Sequence, residues 1–186
     1  MLEQIIVVAD FWIKLGNSSR YRILHDVVPI IAKKVFVHSY VLGEVQISHN
    51  AFTKLRELAT KGLVTVVNES ELIPQDGAIY DMSYAQLASV MMNPDKPSKH
   101  KGEVGSLAFA KVKGIPIFAT DERDLQPIID MQFNTGINDI QCFRIVDLAE
   151  MARKKEVEIS RQMMKIIWVV AGKSRDHFDQ SVWPRV

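Results

Sequence analysis

Apolar residues along the chain gather in short runs, and the stretches between them carry helical spacing. The runs are QIIVVA from Gln4, KVFVH from Lys34, LVTVV from Leu63, IPIFA from Ile115 and IQCFRIV from Ile140. Each reads as a strand, and strands alternating with helices predict a parallel sheet covered on both faces. Between two of them, AFTKLRELATKG places Phe52, Leu55, Leu58 and Ala59 at spacings of three and four, with Gly62 positioned to end the helix. Residues Tyr84 to Met92 also read as helical. Asn93-Pro94 with Pro97 and Ser98 then marks the longest polar connection, expected to be mobile, which leads to Glu103. The expected fold is α/β, a three-layer α/β/α sandwich around a central, mostly parallel sheet.

Toward the carboxyl end the pattern changes. From Glu150 a charged helix start, EMARKKEVE, passes into SRQMMKIIWVVAGK, where Ile166, Ile167, Val169 and Val170 form an apolar patch. This tail is either a final helix packed on the sheet or a docking surface for a second chain, which makes a homo-oligomer one expectation. The chain thus divides into a main domain over 1–149 and a C-terminal helical extension over 150–186.

Length and composition bound this picture. With 186 residues, 47% of them hydrophobic, one core is expected. Lys plus Arg number 23 against 22 for Asp plus Glu, so a nucleic-acid partner would need a local basic patch. The first apolar run, flanked by Glu3 and Asp10, is too short for a secretory segment or a membrane span. A cytoplasmic protein with no membrane partner is expected. The single cysteine, Cys142, excludes an internal disulfide framework and reads as a core thiol. Ala171-Gly172-Lys173-Ser174 ends like a phosphate-binding loop, but Ile167 stands where the earlier glycine is required. No G-x-G-x-x-G or G-x-S-x-G occurs, and the histidines lack H-E-x-x-H spacing.

Four acids stand out by position. Asp10 follows the first run, Glu44 lies just beyond the second, Glu103 opens a helix and Asp121 closes the fourth run. Each has an ordinary role available: Asp10 as a turn cap, Glu44 and Glu103 as first-turn acids facing the helix dipole, Asp121 as an N-cap with Asp124 three residues on. All four, however, fall at carboxyl ends of strands or the helix starts after them, and in a parallel sheet those ends share one edge. Carboxylates gathered there repel unless a cation joins them, and hard oxygen ligands favour Mg²⁺ or Mn²⁺. Such an ion activates water beside a phosphodiester, which points to hydrolysis of a phosphate backbone.

The same residues resemble a PIN domain, the metal-dependent ribonuclease family of many toxin-antitoxin pairs and RNA-processing factors. Asp10 matches the acid after the initial strand and Glu44 the acid after the second. Gly102-Glu103 through Ala108 and Ala110 resembles the GE-x-x-(small)-A-x-A helix start, and Thr120-Asp121-Glu122-Arg123 resembles the T-D-(D/E)-R turn; the likeness spans roughly residues 4 to 147. It implies RNA cleavage with Mg²⁺ or Mn²⁺ held by Asp10, Glu103 and Asp121, Glu44 orienting water, Glu122 sharing the role of Asp121, and Asp124 holding a second ion. Arg123, Lys99 and Lys101 would meet the RNA backbone. As the toxin of a pair, the chain would take an antitoxin-like partner over its cleft.

At Gly105 the chain lacks a second acid that many relatives carry two residues after the helix-opening glutamate. That absence favours an alternative, a noncatalytic PIN-like module that binds RNA or a protein. A phosphoryl-receiver domain shares the early acids, but it wants a lysine after a late strand, and Lys113 precedes its strand.

Overall fold

The computed structural model describes residues 1–93, 95–96 and 99–184. It is a three-layer α/β/α sandwich around a five-stranded, all-parallel sheet in the order β3-β2-β1-β4-β5. The strands are β1 (Leu2–Val7), β2 (Ala32–His38), β3 (Thr65–Val67), β4 (Ile117–Ala119) and β5 (Gln141–Phe143). Helices α1 (Ala9–Gly16) and α2 (Ile23–Ile31) link β1 to β2; α3 (Ser39–Val45) and α4 (His49–Thr60) link β2 to β3. A 3₁₀ turn at Glu69–Glu71 precedes α5 (Pro74–Met91) and α6 (Lys101–Lys113), and α7 (Leu125–Gln132) joins β4 to β5. Helices α8 (Ile145–Arg153) and α9 (Arg161–Val170) follow.

The central strand shows why the sheet is parallel. Ile5, Ile6, Val7 and Val8 are all buried, so both faces of β1 need cover, which the crossover helices supply. The chain builds outward from β1 through β2 to β3, then returns to lay β4 on the other side of β1, with Ile6 opposite both Phe36 and Phe118. The direction of winding reverses between β1 and β4. Such a reversal opens a crevice at the carboxyl ends of those two strands.

Several elements differ from the sequence pattern. Helix α5 begins at Pro74, ten residues before the expected start at Tyr84, because its early turns bury only Tyr80 and Ser83 and leave Ile79 and Met82 exposed. The fifth run stops as a strand at Phe143, and its remaining apolar residues start α8, where the Asp147 side chain accepts a hydrogen bond from the Arg144 N–H at 2.7 Å. Glu150 therefore lies inside α8 rather than at a helix start. Cys142 is half-buried at the sheet edge, and desolvation pushes its thiol up to about 12, so it is inert rather than fully enclosed. Pro94, Pro97 and Ser98 of the long polar connection lie outside the described residues.

The C-terminal segment shares the main core. Met164, Ile167 and Trp168 of α9 and Phe178 beyond it are buried in the same cluster as the sheet residues, and α9 packs on α1 and α8. Of the apolar patch read in the tail, Ile167 is enclosed, Ile166 and Val170 are half-buried and Val169 is exposed. No helix among the described residues is long and apolar enough to cross a membrane.

Candidate active site

The crevice between β1 and β4 is where the acids meet. Asp10 sits in the first turn of α1, one residue after the helix begins, and Asp121 lies just past β4. The backbone N–H of Asp121 donates to Asp10 Oδ2 at 2.8 Å, tying the two strand ends together. Asp10 Oδ1 is buried and has no hydrogen-bond partner. Burial raises the Asp10 carboxyl, only partly opposed by the Asp121 N–H and by Lys14, which lies 3.7 Å away.

Glu44 reaches the same region from the last turn of α3, not the first turn expected from sequence. The helix starts earlier because the side chain of His38, the final residue of β2, accepts from the N–H of Tyr40 at 3.2 Å. Glu44 Oε1 accepts from Gly102 N at 3.0 Å, and burial pushes its carboxyl up. A Cβ at 102 would strike the Glu44 carboxylate, so any other residue there would displace it from this position. Sequence reading saw Gly102 as part of a helix signature; the structure shows it as the seat for Glu44.

Glu103, in the first turn of α6, is buried at 9% exposure. Desolvation first, then the like charges of Glu44, Glu122 and Asp10, push its carboxyl up to about 7. Glu122 is exposed, its N–H donating to Thr120 Oγ1 at 3.2 Å. His100 enters α6 through a left-handed backbone turn (φ 64°), and ligand atoms of His100, Glu103 and Glu122 lie within 4.8 Å of one another. His100 stands three residues ahead of Glu103 in the sequence, at a spacing that matches no zinc motif.

Asp121 has a different environment. Its Oδ2 accepts from Lys14 at 2.9 Å and from Lys173 at 2.8 Å. Burial would raise this carboxyl, yet the hydrogen bonds and charges of Lys173 and Lys14 outweigh it and hold the group below its ordinary value. Lys14, four residues beyond Asp10, carried a helical-spacing signal; Lys173 carried none toward Asp121. Asp121 is also not an N-cap: α7 starts later, at Leu125. Asp124, preceding α7, is exposed and makes no side-chain hydrogen bond or ion pair among the described residues.

The expected phosphate-binding cations are spread out. Lys101 lies with Nζ 3.9 Å over the Tyr40 ring, Lys99 is exposed, and Arg123 is exposed on the Asp121 side. Behind α6, the position lacking an acid is closed: a Cβ on Gly105 would come within 2.9 Å of Tyr40 Cδ2, 3.3 Å of His38 Cε1 and 3.3 Å of the Tyr80 hydroxyl. His38 is fully buried there, facing Glu69 at 3.4 Å, and Tyr40 donates a hydrogen bond to the same carboxylate. No family model, no curated protein and no solved structure matches this chain.

Proposed function

We propose that this chain is a metal-dependent nuclease of the PIN type that hydrolyses RNA phosphodiester bonds at the crevice between β1 and β4. The observation that carries the reading is the grouping of ligand atoms of His100, Glu103 and Glu122 within 4.8 Å of one another, where burial first, and then the charges of Glu44, Glu122 and Asp10, push Glu103 up to about 7. Such a cluster is stabilised by a cation the chain does not itself provide. The residues fit a hard divalent ion: the donors are carboxylates with one imidazole, a set suited to Mn²⁺ or Mg²⁺.

Glu103, Glu122 and His100 would hold the ion, with Asp10 contributing its free oxygen. When bound, the ion supplies positive charge against the scissile phosphate and a water of lowered pKa. Glu44, fixed by the Gly102 N–H, orients the attacking water and accepts its proton. Asp121 holds Asp10 in place through its own N–H, while Lys14 and Lys173 set positive charge beside the acids to offset an approaching phosphate.

The test is cleavage of labelled single-stranded RNA in Mn²⁺, in Mg²⁺ and in chelator. Hydrolysis that needs metal and is lost in Glu103→Gln supports the proposal; no hydrolysis by folded protein in either metal sinks it. The noncatalytic module is the second reading, favoured by the closed space at Gly105 and by the two lysines that already neutralise Asp121. It expects RNA retention without cleavage in the same assay.

A further inference from the structure

Beside Asp121, the C-terminal segment and the residues that follow β4 and β5 line a groove of about 680 Å³. Its lining includes Asp121, Arg123, Arg144, Trp168, Lys173 and His177. We propose that this groove binds the phosphodiester backbone of the single strand as it leaves the crevice, through Arg123, Arg144 and Lys173. The inference rests on the nuclease reading for its orientation, but its binding chemistry stands on the groove's own residues.

Three cationic side chains face a single carboxylate, and that carboxylate is already satisfied, since Asp121 Oδ2 accepts from both Lys14 and Lys173. The groove is thus left with excess positive charge. Arg144 is only loosely paired: its Nε has no hydrogen-bond partner, and the carboxylate it pairs with, Asp147, is 3.7 Å away. The Arg144 side chain as a whole is 36% exposed and lines the groove, which leaves its guanidinium open to an anionic oxygen there. Arg123 is exposed and unpaired among the described residues, free to meet a second phosphate. Lys173 is held over the Trp168 ring, Nζ 5.3 Å from its centroid, which fixes its charge at the wall of the groove. The volume suits a nucleotide unit rather than a bare ion. Lys173 pairs with Asp121 and lines the groove, so the groove adjoins the crevice where Asp121 meets Asp10.

The experiment measures binding apart from cleavage. Fluorescence anisotropy of a 12-nucleotide labelled single-stranded RNA is followed against the full chain in chelator over a range of NaCl concentrations, with Arg123→Ala/Arg144→Ala as the test variant. We expect its Kd to weaken at least tenfold and its log Kd against log salt slope to lessen by about 1.4, since each single-strand phosphate contact contributes about 0.7. A second variant, Arg123→Gln alone, removes an exposed group without touching the core and should lessen the slope by about 0.7. Arg56→Ala/Lys61→Ala, on α4 and the residue that follows it, which share no residue with the groove, should leave both quantities unchanged. Unchanged Kd and slope in both groove variants, or no RNA binding by the wild-type chain, overturns the proposal. So does displacement of the RNA by a few millimolar inorganic phosphate, which would make this a site for free phosphate. Because no metal is present, failure here is separate from failure of metal-dependent cleavage.

Discussion

Glu103 and Asp121 stand at the same edge of the same sheet, yet their carboxyl groups are driven in opposite directions. Both are largely enclosed, so burial opposes the charge on each. Asp121 is given two ammonium groups by the fold and is held low; Glu103 is given Glu44, Glu122 and Asp10 and is driven up to about 7. Burial alone therefore does not mark a functional acid. The presence or absence of a built-in countercharge separates a carboxylate that the fold has neutralised from one that it leaves among like charges.

The largest effect that should separate the pair is Glu103→Gln. Metal-dependent RNA cleavage should fall by roughly a thousandfold, within the span for a group acting at the reacting atoms. The same change should help the metal-free fold. The folded value near 7 lies above the ordinary 4.5, so the native chain binds more protons between those values and loses stability as pH rises through them. That loss amounts to about 3 kcal/mol at pH 8, and urea titration in chelator should show it missing from the variant.

Next in size is Gly105→Asp, which tests whether another acid can join the uncompensated side. Contacts of 2.9 Å and 3.3 Å with Tyr40, His38 and Tyr80 leave no room, so the variant should lose about 3 kcal/mol in urea titration and gain no activity.

His38, in the dry wall behind α6, comes third. Burial lowers its pKa from 6.5 to about 4, so the neutral ring is favoured in the folded chain. Its contribution is present above pH 6.5 and is lost as pH falls toward 4, about 2 kcal/mol between pH 7.5 and pH 5. His38→Asn, which keeps an acceptor for Tyr40 N, should show a correspondingly flatter stability profile over that interval.

Smallest is Lys173→Met. It removes one of two partners from a largely enclosed carboxylate and, with Lys14 still in place, should cost about 1 kcal/mol, with the Asp121 carboxyl titrating higher by NMR. An unmoved Asp121 titration would mean that Lys14 alone compensates it.

Much of this contrast was legible in the residues. The β-branched runs give the five parallel strands, and the strand ends bring Asp10, Glu44 and Glu103 to one edge. Asp121 was legible as an acid at that edge but not in its electrostatics, because Lys173 lies in a segment whose only visible pattern was a failed phosphate loop. Helix boundaries were harder: Glu44 looked like a first-turn acid because nothing in the pattern shows that His38 caps α3 from the strand. The early turns of α5 escaped because they expose Ile79 and Met82 instead of presenting one apolar stripe. The groove beneath the tail was illegible, since Arg144 and Lys173 are neighbours only through the packing of α8 and α9.

The hydrogen bond from the Asp121 amide to Asp10 joins residues 111 positions apart. A chain made from its amino end exposes Asp10 long before its partner exists, and contacts of such separation form slowly because a large loop must close first. The crevice is thus a late product of folding: half-made chains carry the acids but not the pocket. In pulse-labelling exchange, the Asp121 amide should gain protection only with the final cooperative phase.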